Sequence, residues 1–268
     1  MTSSTFVAAS GDGYELQMGR WSRRLAEPFI DFAGWRDGES VLDAGCGTGR
    51  LALALSNRGS NQHIKGIDVS REYVEYGARQ NTNPNVTFDV GDICALPFAD
   101  ASFDRVLSLL VLHFVTEPLR AISELRRVVR PGGTVAAAVW DARGGFVSNR
   151  IFWDTAATLD QKGNEARARN MTRPLTRPGE LAGAWRAAGL ADVRDTTLSI
   201  RMEFDSFDDY WTPYAGKDGP VAAYVGSLEP AGRERLREAV RKAYLDGETD
   251  GPRSYAAIAW AVAGKVPG

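Results

Sequence analysis

Residues 41–49 read Val-Leu-Asp-Ala-Gly-Cys-Gly-Thr-Gly, and no other stretch constrains the fold as strongly. Val41 and Leu42 suit the end of a buried strand, and Asp43 closes it. Gly45, Gly47 and Gly49 turn the backbone sharply, and Arg50-Leu-Ala-Leu-Ala-Leu55 has the composition of a helix. Strand, glycine turn and helix together let a nucleotide-like ligand lie against bare backbone, because residues without a Cβ do not hold it off. The glycine spacing selects the ligand. A dinucleotide turn runs Gly-x-Gly-x-x-Gly and would place its third glycine at position 50, where Arg50 stands. Here the run is Gly-x-Gly-x-Gly, with Asp43 two positions before the first glycine.

Strands and helices then alternate. His63–Asp68 reads as a second strand ending in a carboxylate, and Ser70 caps a helix that runs to about Gln80. Val86–Phe88 is a short third strand and Phe103–Ser108 a fourth. Thr116 is expected to cap the next helix, with Pro118 in its first turn. Leu119, Ile122, Leu125, Val128 and Val129 recur at helical spacing and mark its buried face. Pro131-Gly-Gly133 is expected to stop it. Thr134–Trp140 is small and apolar, as a central parallel strand should be. Two interruptions follow, 143–178 and 206–250, separated by a helix over Gly179–Ala188 and a strand over Asp192–Phe204. The second contains a helix over Arg233–Leu245. Ser254–Val262 is a last apolar strand. The alternation implies an α/β sheet wound by right-handed crossovers.

The glycine turn, Asp68 placed 19 positions after Gly49, and Gly91-Asp-Ile-Cys-Ala-Leu-Pro-Phe98 together resemble the class I S-adenosylmethionine-dependent methyltransferases. Within them the chain is similar to the small-molecule, ubiquinone-biosynthesis-like (type 11) group. The resemblance implies a Rossmann-like, seven-stranded, mostly parallel sheet of order 3-2-1-4-5-7-6. Helices would cover both faces, with a helical substrate cap. It implies one domain over 1–268: a cofactor-binding core at 37–142, completed by 179–204 and 253–264, and lid or cap segments at 1–36, 143–178 and 205–252.

The same resemblance implies S-adenosylmethionine as cofactor and gives roles to particular side chains. Asp68 would accept from both ribose hydroxyls; a helix-start aspartate favouring the dipole is the other role open to it. Asp92 would accept from the adenine amino group or bond its own turn, with Val69 and Ile93 against the two faces of the ring. Asp43 and the Gly45-Cys46-Gly47 backbone would face the amino-acid end, and the Leu109 carbonyl its ammonium. Simple packing is the alternative for Asp43 and Leu109. Tyr14–Arg23 is similar to the family's N-terminal lid helix. Arg20 there would pair with the cofactor's carboxylate or lie on a solvated face, Tyr14 would close over the sulfonium or the substrate, and Trp21 would anchor by packing.

A sulfonium methyl is already an activated electrophile, so the protein must chiefly align a nucleophile and exclude water. Of the two histidines, His63 falls at the wrong end of its strand. His113, in Leu109-Leu-Val-Leu-His-Phe-Val115, follows the fourth strand at the ligand-binding edge. It is the candidate general base, with Tyr14 across the cleft, or else a packed side chain that fixes the loop.

Composition narrows the acceptor. Lys plus Arg is 32 against 34 Asp plus Glu, a net charge of −2, so no general phosphate-binding surface is expected and nucleic acid is disfavoured. No Asn-Pro-Pro-Tyr-like run follows the fourth strand, which argues against methylation of adenine in DNA. No carboxylate cluster there suggests a metal site, so no metal is expected. Cys46 and Cys94 fit no metal spacing and read as free thiols of a cytoplasmic protein. The start, Met-Thr-Ser-Ser-Thr-Phe, lacks a secretory pattern, and no apolar run is long enough for a membrane span. The cap region between 146 and 224 holds Phe146, Phe152, Trp153, Trp185, Phe204, Phe207, Tyr210, Trp211, Tyr214 and Tyr224, divided between core and the wall of a pocket for a partly apolar molecule. The expected activity is methyl transfer to O or N, ahead of C, of a small-molecule metabolite. The alternative is a cofactor-binding sensor or structural relative without transfer activity. A homo-oligomer is left open.

Overall fold

The structure, a computed structural model, describes residues 3–60 and 62–268. Met1 and Thr2, which begin the segment expected to lack a secretory pattern, and Asn61 lie outside the described residues.

Among the described residues, seven strands form one sheet in the order β3-β2-β1-β4-β5-β7-β6. They are β1 Ser40–Ala44, β2 His63–Asp68, β3 Val86–Val90, β4 Phe103–Leu109, β5 Val129–Trp140, β6 Ala191–Phe204 and β7 Arg253–Lys265. Strands β1 to β5 pair in parallel, with Val41 beside Ile64 on one side and Arg105 on the other. Strand β7 runs antiparallel between β5 and β6, setting Val139 against Trp260 and Thr197 against the same residue. The order reverses between β1 and β4, so the crevice for a ligand opens beyond their carboxyl ends.

The helices are α1 Gly11–Tyr14, α2 Arg20–Ala33, α3 Arg50–Ser56, α4 Arg71–Gln80, α5 Pro118–Arg127, α6 Val147–Leu159, α7 Gln161–Met171, α8 Glu180–Ala187, α9 Phe207–Trp211, α10 Gly219–Gly226 and α11 Pro230–Leu245. A π-helical stretch, Glu15–Gly19, joins α1 to α2 without a break. Side chains alternate across each strand. Val41 and Ala136 therefore pack on one face with Leu25 and Phe29 of α2 and Leu51 of α3. Leu42 and Ala137 pack on the other with Ile122 and Leu125 of α5 and Trp185 of α8. No helix among the described residues is long and apolar enough to cross a membrane.

Local expectations needed revision around α5. The residue preceding its first turn is Glu117, which makes no side-chain cap, while Thr116 turns away and donates its hydroxyl to the Ser3 carbonyl. Leu119 is 62% exposed, and Ala121, Ile122 and Leu125 form the buried face instead. The helix stops at Arg127, before Pro131-Gly-Gly133, because Val129 is already paired with Phe103 of β4. The three residues expected as a helix stop lie inside β5, where the register with β4 slips between Phe103 and Arg105.

Candidate active site

The glycine turn is built as its spacing demands. Gly45, Gly47 and Gly49 all take positive φ. At Gly45, φ is +79°, and a Cβ would lie 2.5 Å from Val111, so this position needs both the free dihedral and the missing side chain. Gly45 and Cys46 donate their backbone N–H groups to the Ile67 carbonyl at 2.8 and 2.9 Å, drawing the turn against the tip of β2. Asp68, at that tip, accepts from the Gly47 N–H through Oδ2 and from the Ser70 N–H through Oδ1, both at 2.9 Å. Each carboxylate oxygen is thereby aimed and still has accepting capacity. Burial pushes the Asp68 carboxyl up, and backbone bonds from Ser70, Gly47 and Val69 partly offset this.

A cavity of about 170 Å³ opens on this edge. One water needs roughly 10–15 Å³ on this measure, so the space suits a molecule. Tyr14, Gly45, Gly47, Asp68, Val69, Ile93, Leu109 and His113, all expected at the site, line it. Arg20, Asp43, Cys46 and Asp92 do not, and each has a physical reason. Both oxygens of Asp209 take the Arg20 guanidinium, at 3.0 and 3.1 Å, while its plane lies 4.3 Å from the Trp21 ring centroid. That partner lies in the second interruption, 189 residues away in sequence. Asp43 is buried beneath the turn and accepts from the Ala52 N–H of α3 at 3.1 Å. Burial pushes its carboxyl up to about 7 against the pull of that bond, and the charge of Asp68 adds to the rise. Cys46 is a buried free thiol. Asp92 bonds its own turn through the Cys94 N–H at 2.8 Å and takes the Ser3 hydroxyl at 2.6 Å on the same oxygen.

His113 reaches the cavity wall but is 3% exposed, and its Nδ1 has no hydrogen-bond partner. Burial, with the charge of Arg173 second, pushes its pKa down to about 3. The near-neutral base expected from the sequence is therefore not what the fold provides: desolvation holds this imidazole neutral. Burial likewise pushes the Tyr14 phenol up, which leaves it protonated. Its ring lies against Tyr73, centroids 5.0 Å apart.

Three tethers hold the N-terminal segment over the cavity. Thr5 donates its N–H to the Phe114 carbonyl and Thr116 donates to Ser3, both at 2.8 Å. Glu15 accepts from the Thr48 hydroxyl at 2.6 Å and from Arg50 Nε at 2.8 Å. Asp218, in the second interruption, accepts from the Ala9 and Ser10 N–H groups and from the Tyr73 hydroxyl. Of the ten aromatics between 146 and 224 named above, Phe146, Phe204, Tyr210 and Tyr214 line the cavity, and Phe152, Trp153, Trp185, Phe207, Trp211 and Tyr224 are core. Sequence reading missed Gln17, Tyr73, Trp140, Asn149, Asn170 and Arg173 on the wall.

Comparison with known proteins agrees with the topology. Residues 42–137 match the family described as "Methyltransferase domain". The structure aligns with a phosphoethanolamine N-methyltransferase of Haemonchus contortus in complex with S-adenosyl-L-methionine. The TM-score is 0.60 at 16% identity, over 96% of this chain and 57% of that one. The chain has the class I methyltransferase fold. Demethylmenaquinone methyltransferase of Renibacterium salmoninarum is 37% identical over 123 residues, 46% of this chain and 50% of the relative. The chain spans about a third to a half of the length of the curated relatives it matches. Another structure with this methyltransferase fold is the [4+2]-cyclase SpnF, with TM-score 0.57 and 21% identity over 100% of this chain and 89% of that one.

Proposed function

We propose that this protein is an S-adenosylmethionine-dependent methyltransferase acting on an O or N nucleophile, ahead of C, of a small-molecule metabolite. The observation that carries the reading is Asp68. It stands on the cavity wall at the tip of β2, with each oxygen oriented by one backbone N–H and open to another donor. Asp68 would hold the ribose hydroxyls, Val69 and Ile93 the adenine faces, Gly45 and Gly47 the amino-acid end, and the Leu109 carbonyl its ammonium. When bound, the cofactor supplies a methyl group on a positively charged sulfur. His113, held neutral, accepts a hydrogen bond from the acceptor group and positions it, and Tyr14 closes the cleft against water. The N-terminal segment and the stretches at 143–178 and 205–252 form the cover that selects the substrate. Both cysteines are buried free thiols, in keeping with a reducing compartment such as the cytoplasm.

One observation favours a second reading, a cofactor-binding relative that transfers nothing: burial pushes the His113 pKa down to about 3, which makes it a weak base. Single-turnover incubation with methyl-labelled S-adenosylmethionine and a metabolite panel separates the two. Label moving to a panel member is the expected result. Tight cofactor binding with no transfer to any O or N acceptor supports the second reading. In calorimetry, Asp68→Asn should weaken cofactor binding roughly 10–100-fold, since bonds to a charged group contribute about 1.5–3 kcal/mol. Wild-type affinity in that variant would remove Asp68 from the ribose.

A further inference from the structure

The structure assigns to Arg173 the recognition of a carboxylate on the small-molecule substrate; the assignment rests on the cavity being the transfer cleft. Among the described residues that line the cavity, Asp68 is the one carboxylate and Arg173 the one guanidinium. Asp68 ends β2, whereas Arg173 packs on the loop that follows β4, so the two charges serve different parts of the space. Arg20, beside the cavity, is by contrast already paired with Asp209. Arg173 is posed on the wall by neutral groups alone. Its Nη2 donates to Asn170 Oδ1 at 2.8 Å, and Asn170 is itself fixed by donating Nδ2 to the Ala166 carbonyl at 2.8 Å. The guanidinium carbon lies 4.4 Å from the Phe114 ring centroid. The remaining contact, Nη1 to the Thr5 hydroxyl, is long at 3.4 Å. Among the described residues no carboxylate stands within ion-pair distance.

A half-buried cation without a counter-ion is costly unless a ligand completes it. Burial alone pushes the Arg173 pKa down to about 10, the direction expected of a charge lacking its partner. A rigid guanidinium fork matches a carboxylate through two parallel bonds. One fixed positive charge balances one negative charge, and His113 beside it is neutral, so a monoanion fits better than a phosphate dianion. Two more residues of the same wall carry buried polar atoms without partners, His113 Nδ1 and Asn149 Oδ1. The surrounding wall is aromatic, including Phe114, Phe146 and Tyr214, so the group bearing the carboxylate is partly apolar.

Benzoate and its neutral isostere benzamide are suitable probes, titrated by calorimetry into the full chain with and without saturating S-adenosylhomocysteine. Benzoate should bind saturably, benzamide at least tenfold more weakly. Arg173→Gln should lower benzoate affinity roughly 10–100-fold and leave S-adenosylhomocysteine affinity unchanged. Substitution of exposed Arg177, which pairs with Glu180, by Gln (Arg177→Gln) should leave both unchanged. If Arg173→Gln fails to fold, Arg173→Lys decides, because it keeps the charge, loses the fork and should bind benzoate about tenfold more weakly. Phenyl phosphate binding more tightly than benzoate, equal binding of the amide, absence of saturable benzoate binding, or a response indifferent to Arg173 would each overturn the assignment. Failure of S-adenosylhomocysteine alone to bind would instead strike the transferase reading, and the arm without cofactor still decides the carboxylate.

Discussion

His113 shows how one residue's surroundings override its ordinary chemistry. In the folded chain its pKa is pushed from 6.5 down to about 3, by burial first and by Arg173 second. The unfolded chain takes up that proton near its ordinary pKa, and the folded chain does so only in strong acid. The stability that follows is present in full above pH 6.5. It is lost as pH falls from 6.5 toward 3, at about 1.4 kcal/mol per pH unit. Asp43 has the opposite sign: its folded pKa of about 7 lies above the ordinary 3.8, so its contribution is full below 3.8 and is lost as pH rises through 7. A wild-type melting curve therefore mixes the two. His113→Gln isolates one of them. Relative to wild type, the variant should gain stability steadily as pH is lowered from 7 to 5, as read by thermal melts. A difference independent of pH would contradict a buried neutral imidazole. Arg20 carries the same lesson: a guanidinium in a promising segment is already committed, through Asp209, to a partner no local reading could supply.

The glycine turn and the N-terminal segment are elements whose conformation is enforced from outside. Gly45→Ala sets a Cβ against Val111 at a φ of +79°, and should cost at least ~2 kcal/mol in chemical denaturation. Adding Val111→Ala should restore part of the loss, because the two residues share one contact. Additive losses would mean that strain at φ alone accounts for it. The joint between α1 and α2 rests on Glu15, whose side chain is 15% exposed and grips Arg50 and Thr48 of the turn. Glu15→Gln should shift the closed-to-open balance of residues 11–19 by roughly 5–30-fold, or 1–2 kcal/mol, seen as faster amide exchange there. Exchange unchanged in that segment would show that other contacts hold it. Position 50 thus matters twice. Its side chain excluded a dinucleotide turn in the sequence, and in the fold it ties down the N-terminal segment through Glu15.

Across the whole molecule, what was legible in the chain followed its periodicities. Asp43 to Gly49, the strand tips and the two long terminal strands could be read because strand alternation and glycine turns are local signals. The order of the sheet came with the family resemblance, and the structure shows it. The wall of the cavity was legible only where it borders the sheet, as with Asp68, Val69, Ile93 and Leu109. Asp92 was read as an adenine partner or a turn aspartate; its Oδ1 bonds the turn at Cys94 and also takes the hydroxyl of Ser3, 89 residues away, which no local signal announced. Asn149 of α6, Asn170 of α7 and Arg173 just after it belong to the first interruption, whose position depends on long-range packing that leaves no periodic trace.

A crystal structure of the protein with S-adenosylhomocysteine tests the central claim most directly. The account predicts both ribose hydroxyls on the Asp68 carboxylate, the adenine between Val69 and Ile93, and the amino-acid end along Gly45 and Gly47. Density for the nucleoside elsewhere, or ribose oxygens with no contact to Asp68, would contradict it.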